Sequence, residues 1–140
     1  MPRYSVIIPA YNAQETLADA IASVLDQTCA PAEVIVVDDG STDRTADIVA
    51  TFGTRVRGVT QANQGPGAAV NQGVALARYD LLAFVDADDI WLPDKMARQI
   101  PLVVAAEGAL ISTAQMRQFC HGVPDDGTGA VRDGLTRSTT

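Results

Sequence analysis

The stretch "EVIVVDDGSTD", Glu33–Asp43, decides the fold. Four β-branched residues in a row, Val34, Ile35, Val36 and Val37, run straight into two carboxylates, a glycine and small polar residues. A continuous apolar run of that length, closed by turn formers, reads as a strand buried on both faces, as strands of parallel sheets are. The residues that follow, "DDGSTDRTADIVATFG", put Thr45, Ile48, Val49 and Phe52 on one helical face, with Ser41 or Thr42 as the N-cap and Gly53 as the stop. A buried strand feeding an amphipathic helix is one turn of an α/β winding.

The same unit appears on either side. Upstream, "SVIIPA" (Ser5 to Ala10) is a second buried strand, and "NAQETLADAIASVLDQT" places Leu17, Ile21, Val24 and Leu25 at helical spacing. Asn12 and Glu15 stand there in the relation of a capping box. Downstream, a weaker strand, "VRGVTQ", leads into "ANQGPGAAVNQGVALAR", whose Ala69, Val70, Gly73, Val74 and Ala77 share a face. "DLLAFV" is the next strand and ends in Asp86, Asp88 and Asp89. "LPDKMARQIPLVVAAEG" reads as a helix with Pro93 near its start, kinked or ended around Pro101, and "ALISTAQ" as a fifth strand. Alternating strands and helices predict an α/β fold, a mostly parallel sheet with helices on both faces. The expected domain covers residues 1–120. The remaining 121–140, rich in Gly, Asp, Thr and Ser and without periodicity, read as a loop or disordered tail.

Composition limits the partners. The net charge of −7 leaves ten scattered basic residues outnumbered by seventeen acidic ones, which argues against binding nucleic acid through its phosphates. Two cysteines, Cys29 and Cys120, lie far apart without CxxC spacing, which fits a reducing compartment and neither a disulfide scaffold nor a zinc site. The start "MPRYSVIIPAYN" has too short an apolar run for a signal peptide, and "IPLVVAAEGALIS" is interrupted by Glu107 and too short to span a bilayer. The expectation is a cytoplasmic protein, with peripheral attachment at the inner face of the membrane left open.

In open α/β sheets, ligands bind beyond the carboxyl ends of the strands. Four polar clusters fall there: "PAYN", "DDGSTD", "NQGPG" and "DADD". Each alone is an ordinary turn composition. Asp86 and Asp88, spaced by two, point to one side of an extended segment, and three like charges at a strand end call for a cation. Mg²⁺ typically takes one or two carboxylates together with substrate phosphates. Asp38 or Asp39 could accept hydrogen bonds from a base or a ribose, or simply favour the following helix N-terminus. Gly65 and Gly67 of "GPG" allow close backbone approach at a helix N-terminus that suits phosphate.

The order of these segments, "VIVVDDGSTD", "NQGPGAAVNQG" and "FVDADD" followed by Trp91, Leu92 and Pro93, resembles the family 2 glycosyltransferases over about Tyr4 to Gln99. The resemblance implies the nucleotide-sugar-binding half of a Rossmann-like GT-A fold, and an inverting enzyme using Mn²⁺ or Mg²⁺ with a nucleoside diphosphate sugar donor. It implies a saccharide, lipid-linked or other hydroxyl acceptor. By the same resemblance Pro9, Ala10, Tyr11 and Asn12 line the base, Asp39 reads it with Asp38 alongside, and Asp86, Ala87 and Asp88 form the DxD segment. Asp88 is then the metal ligand and Asp86 faces the sugar or ribose while sharing the metal site. Gly65, Gly67 and Asn71 fall in the donor-facing third segment, where Val70 stands in place of the arginine common in the family. The family's acceptor region and catalytic base lie well beyond the DxD segment. No residue of this sequence is assigned as the base, and the chain is expected to lack part of the acceptor side. A non-catalytic nucleotide-sugar-binding module is the alternative. A signalling receiver domain is disfavoured by "PAYN" after strand one, and a dinucleotide-binding domain by the missing glycine fingerprint there.

Overall fold

The computed structural model describes residues 1–106, 111–112, 116–117 and 131–132. Two compact units result, Met1–Asp94 and Lys95–Thr140. The first contains four strands, β1 (Tyr4–Ala10), β2 (Glu33–Asp38), β3 (Arg57–Thr60) and β4 (Leu81–Phe84). They alternate with helices α1 (Leu17–Leu25), α2 (Thr45–Thr51) and α3 (Pro66–Leu76). All pairings are parallel and the strand order is β3-β2-β1-β4. Two crossovers therefore run one way from β1 and the third runs back. Right-handed crossovers then put α1 and α2 on one face and α3 on the other.

Burial follows this geometry. β1 and β2 are central, and Val6, Ile7, Ile8, Ile35, Val36 and Val37 are all fully buried, which is why these segments carry no polar alternation. On the α3 face, Ile35 and Val37 pack with Ala69, Leu76 and Ala77. On the other face, α1 buries Leu17, Ala20, Ile21 and Val24, the i, i+3, i+4, i+7 stripe of an amphipathic helix. The amino ends of the strands are tied by Glu33, whose Oε2 accepts from Ser5 Oγ at 2.8 Å and from the Arg78 amide at 2.9 Å.

Some local expectations are corrected. Asn12 and Glu15 form no capping box: α1 begins at Leu17, and Asn12, at φ 47°, spends its side chain on a neighbouring loop. Neither Ser41 nor Thr42 caps α2. The N-cap is Arg44, which makes no side-chain cap bond, and Asp43 just before it braces the helix start, its Oδ1 accepting from the Thr45 amide at 2.9 Å and the Thr45 hydroxyl at 2.5 Å. Gly53 does end that helix region, at φ 59°. Val74 is 40% exposed, because Gly73 and Ala69 already define the buried line of α3.

In the second unit, α4 (Lys95–Val104) starts after Pro93 and continues three residues past Pro101. The proline deletes one amide donor without ending the helix. The expected strand "ALISTAQ" lies mostly outside the described residues, and its described members Ile111 and Ser112 are not in a strand. A two-residue antiparallel pair joins β5 (Met116–Arg117) to β6 (Val131–Arg132). The rest of the expected tail, 121–140, lies outside the described residues.

Candidate functional site

Strand register brings the polar clusters to one edge. Ala10 pairs with Asp38, Asp38 with Thr60, and Ile7 with Phe84, and the Val85 amide donates to the Ile7 carbonyl at 3.2 Å. The loops after β1, β2, β3 and β4 therefore leave the same end of the sheet.

Asp38 and Asp39 are neighbours with opposite duties, as side-chain alternation along an extended segment requires. Asp38, 4% exposed, follows Val36 onto the α2 side, where both line a cavity of about 320 Å³ with Val49, Val59 and Thr60. Its Oδ1 accepts from the Ser41 amide at 3.0 Å and closes the loop. Asp39, 3% exposed, turns toward α3. Its Oδ1 accepts from Gln61 Nε2 at 2.8 Å and the Gln64 amide at 2.9 Å, and its Oδ2 from the Gly65 amide at 2.9 Å. The carboxylate thus fastens the β3–α3 loop and the first residue before α3. Gly40 permits the two loops to meet: its φ is 77°, and a Cβ there would sit 2.9 Å from the Asn63 amide nitrogen. Any other residue would meet both the strain and the backbone contact.

The Gln61 amide, then the Gln64 amide, hold Asp39 below the usual carboxylate range, with the Gly65 amide adding to them and desolvation opposing. Asp43 is lowered in the same way, chiefly by the Thr45 hydroxyl. A depressed folded-state value means that the stabilisation is present above the ordinary aspartate value, about 3.9, and is lost as pH falls through the lower folded one. Thermal melts between neutral pH and about pH 2.5 should therefore show an acid-side loss of Tm that is smaller in Asp39→Asn, which is already weakened at neutral pH. An acid limb identical in the variant would show that Asp39 does not contribute to it.

The β1 loop is built on the β2 loop. Asn12 Oδ1 accepts from the Thr42 amide at 2.8 Å, the Asn12 amide donates to Ser41 Oγ at 2.9 Å, and the Ala13 amide donates to Thr45 Oγ1 at 2.9 Å. Ala10 is buried, Pro9 half-buried, and the Tyr11 ring is 52% exposed at this edge. With Oδ1 engaged, Asn12 has its amide N–H groups left to offer a ligand. Gly65, at φ 96°, stands immediately before α3, and a Cβ at Gly65 or Gly67 would meet nothing within 4 Å. The helix N-terminus therefore opens onto free space. Asn71 is exposed one turn further along α3.

After β4, the acidic turn is closed by the Asp89 amide donating to the Asp86 carbonyl at 3.1 Å. Val85 and Ala87 are buried, while Asp86 and Asp88 are exposed. Asp89 joins them, a residue the DxD spacing omits: one carboxylate oxygen from each of the three lies within 4.8 Å of the others. Burial first, then the charges of Asp86 and Asp88, raise the Asp89 carboxyl above its ordinary value. Three convergent hard oxygens with that repulsion fit a divalent cation such as Mg²⁺ or Mn²⁺. The segment behind them is fixed to α1 and the residues just after it: Trp91, 7% exposed, donates its amide to Ser23 Oγ of α1 at 3.1 Å, and Gln27 Nε2, two residues past the helix, donates to the Leu92 carbonyl at 2.7 Å. Among the described residues, no helix is long and apolar enough to cross a membrane.

An uncharacterized glycosyltransferase of Nostoc sp. is 44% identical over 100 residues, which are 69% of this chain and 31% of that protein. A UDP-Glc:alpha-D-GlcNAc-diphosphoundecaprenol beta-1,3-glucosyltransferase of Escherichia coli is 38% identical over 71% of this chain and 40% of its own length. The chain thus spans well under half of these relatives. Among solved structures, glucosyl-3-phosphoglycerate synthase of Mycobacterium tuberculosis, in complex with Mn²⁺, UDP and phosphoglyceric acid, superposes with a TM-score of 0.66 at 27% identity, over 76% of this chain and 40% of that one. This likeness makes the doubly wound sheet the GT-A fold expected from the sequence. The family model described as glycosyl transferase family 2 matches residues 5–127, so the chain belongs to that family.

Proposed function

We propose that the chain is the donor-binding part of a metal-dependent glycosyltransferase that moves a sugar from a nucleoside diphosphate sugar to an acceptor hydroxyl, with inversion at the sugar carbon. One observation carries the reading: Asp39, the open N-terminus of α3 and the Asp86, Asp88, Asp89 turn all lie at the carboxyl ends of the strands. In this reading Pro9, Ala10, Tyr11 and Asn12 form the wall of the base pocket, with the exposed Tyr11 ring as its stacking face. Asp39 reads the base. Asp38 braces the loop beside it. Gly65 and Gly67 let the diphosphate approach the amides that begin α3, where the helix dipole favours an anion, and Asn71 flanks that path. Asp86, Ala87 and Asp88 carry the DxD role, with Asp88 and Asp86 as metal ligands and Asp89 added to them.

A bound Mn²⁺ or Mg²⁺ supplies Lewis-acid stabilisation of the departing diphosphate. The chain's own residues hold the base, orient the diphosphate and fix the acidic turn against α1, so that the sugar is held in one pose. Inversion needs the acceptor hydroxyl in line on the opposite face of the sugar, with a carboxylate to take its proton. The described residues supply the donor side of that arrangement. The diphosphoundecaprenol-linked acceptor named for the E. coli relative supports a lipid-linked saccharide acceptor, and the teichuronic acid and succinoglycan biosynthesis relatives support a role in cell-envelope polysaccharide synthesis; in this reading the acceptor is met at the inner face of the membrane.

A ligand that binds only the folded state stabilises it by about 2.7 kcal/mol at a hundredfold excess over its Kd. UDP, dTDP or GDP sugars are therefore expected to raise Tm in the presence of Mn²⁺, and to do so much less after EDTA. A melting temperature unmoved by all of them with Mn²⁺ present would end the donor-site reading.

A further inference from the structure

We propose that Gln27 is a positioning residue for the metal: together with Ser23, it holds the acidic turn in the shape that gathers Asp86, Asp88 and Asp89. This deepens the metal-site reading given above and rests on it.

The turn works against its own charge. One oxygen from each of the three carboxylates lies within 4.8 Å of the others, and like charges that close repel. A backbone bond closes the turn, from the Asp89 amide to the Asp86 carbonyl at 3.1 Å. Until a cation arrives, repulsion favours splaying, so the shape has to be imposed from outside. Upstream, the Val85 amide on the Ile7 carbonyl continues the hold of the sheet. Downstream, three consecutive residues are bonded to the end of α1 and the residues just after it. The Trp91 amide donates to Ser23 Oγ at 3.1 Å, and the Leu92 carbonyl accepts from Gln27 Nε2 at 2.7 Å. The Pro93 carbonyl accepts from the Thr28 amide at 2.8 Å.

Gln27 is the hub of this attachment. It is 5% exposed, and a polar side chain that buried costs free energy unless it is hydrogen-bonded. Its Nε2 also donates to the Ser23 carbonyl at 3.2 Å, a carbonyl that the end of α1 leaves open. The Gln27 backbone amide goes instead to the Val24 carbonyl at 3.5 Å. One nitrogen therefore caps the helix and grips the segment behind the acidic turn. Ser23 is oriented in the same way: its hydroxyl donates to the Ala20 carbonyl at 2.8 Å, which turns a lone pair toward the Trp91 amide. A primary amide suits the place. Glutamate would set lone pairs against two carbonyls, and lysine would have to bury a charge. Both side chains act through the backbone leaving the turn, not as ligands.

Calorimetry of UDP binding to the full chain at graded MnCl₂ tests this. Gln27→Met keeps the length and the burial and removes both donors. Its half-saturating Mn²⁺ concentration should rise about tenfold or more, as when a support of a metal ligand is lost. Ser23→Ala removes the acceptor of the Trp91 amide and should move it the same way. At saturating Mn²⁺ the UDP affinity of both variants should return to that of the unaltered chain, since the base and diphosphate contacts are untouched. Ser5→Ala is the control. It deletes a buried hydrogen bond, to Glu33 at 2.8 Å, at the amino ends of the strands. It should lower Tm and leave the Mn²⁺ requirement unchanged. An unchanged requirement in Gln27→Met, or in Ser23→Ala if the first variant does not fold, overturns the proposal and leaves the metal-site reading standing. A rise of the same size in Ser5→Ala also overturns it, since that is general loosening. The absence of Mn²⁺-dependent binding in the unaltered chain removes both readings together.

Discussion

Asp88→Asn should lose the Mn²⁺ dependence of nucleotide binding while keeping the fold. The substitution preserves shape and removes one of three carboxylates whose oxygens lie within 4.8 Å of one another. Altering groups that only support a metal ligand typically costs about 10–100-fold in metal affinity, so loss of a direct charged ligand should cost about a hundredfold or more. The apo protein should not be destabilised. Asp88 is exposed, and its charge crowds Asp89, so its removal relieves repulsion at the turn. Asp39→Ala should behave differently. It frees Gln61, Gln64 and Gly65, and so weakens nucleotide binding and loosens the start of α3 while leaving the acidic turn intact. Manganese titration of both variants, read by nucleotide affinity and by Tm, separates the two roles. Unchanged metal dependence in Asp88→Asn would reduce the cluster to a solvated turn.

The contrast between these variants shows where sequence reading succeeds. Strand identity was legible in the uninterrupted β-branched runs of β1 and β2, because burial on both faces leaves no room for polar alternation. The carboxyl-edge clusters were legible because the winding rule sends every βα loop to the same end. Hydrogen-bond partners were not. Asn12 followed by Glu15 satisfies the capping-box pattern, yet its side chain is claimed by Thr42, thirty residues along the chain. Adjacent Asp38 and Asp39 look interchangeable in sequence, and only the strand's alternation assigns one to α2 and the other to α3. Asp89 falls outside the spacing-by-two argument because a turn, not an extended strand, carries it back to Asp86. Gln61 gives no signal in sequence, since its role exists only through Asp39.

Gly73 is the position where one added carbon should do most harm to the fold. It lies one turn after Ala69 on the buried line of α3, and a Cβ there would fall 2.4 Å from Ile7 Cγ2 and 3.3 Å from Ile7 Cγ1. Ile7 cannot retreat: it is fully buried in the central strand, paired with Ile35 on one side and Phe84 on the other. Gly73→Val therefore has to push α3 off the sheet. Overpacking of this kind costs about 1–3 kcal/mol, and a contact this short against a fixed strand belongs at the upper end, far above the few tenths regained in helix propensity. For a domain of this size that lowers Tm by roughly 10 °C. Ala75→Val, on the exposed side of the same helix, is the control and should change stability by at most about 0.5 kcal/mol. The mechanism has its own test in a double-mutant cycle. Ile7→Ala removes the atoms that Gly73→Ala would strike, so the second substitution should cost less in that background than in the parent. Equal cost in both backgrounds would sink the packing argument. The consequence reaches the site because the start of α3 is tied to Asp39 through Gly65. A helix displaced from Ile7 carries that amide with it, so Gly73→Val should also bind UDP more weakly at temperatures where it remains folded, though no residue it touches faces the ligand.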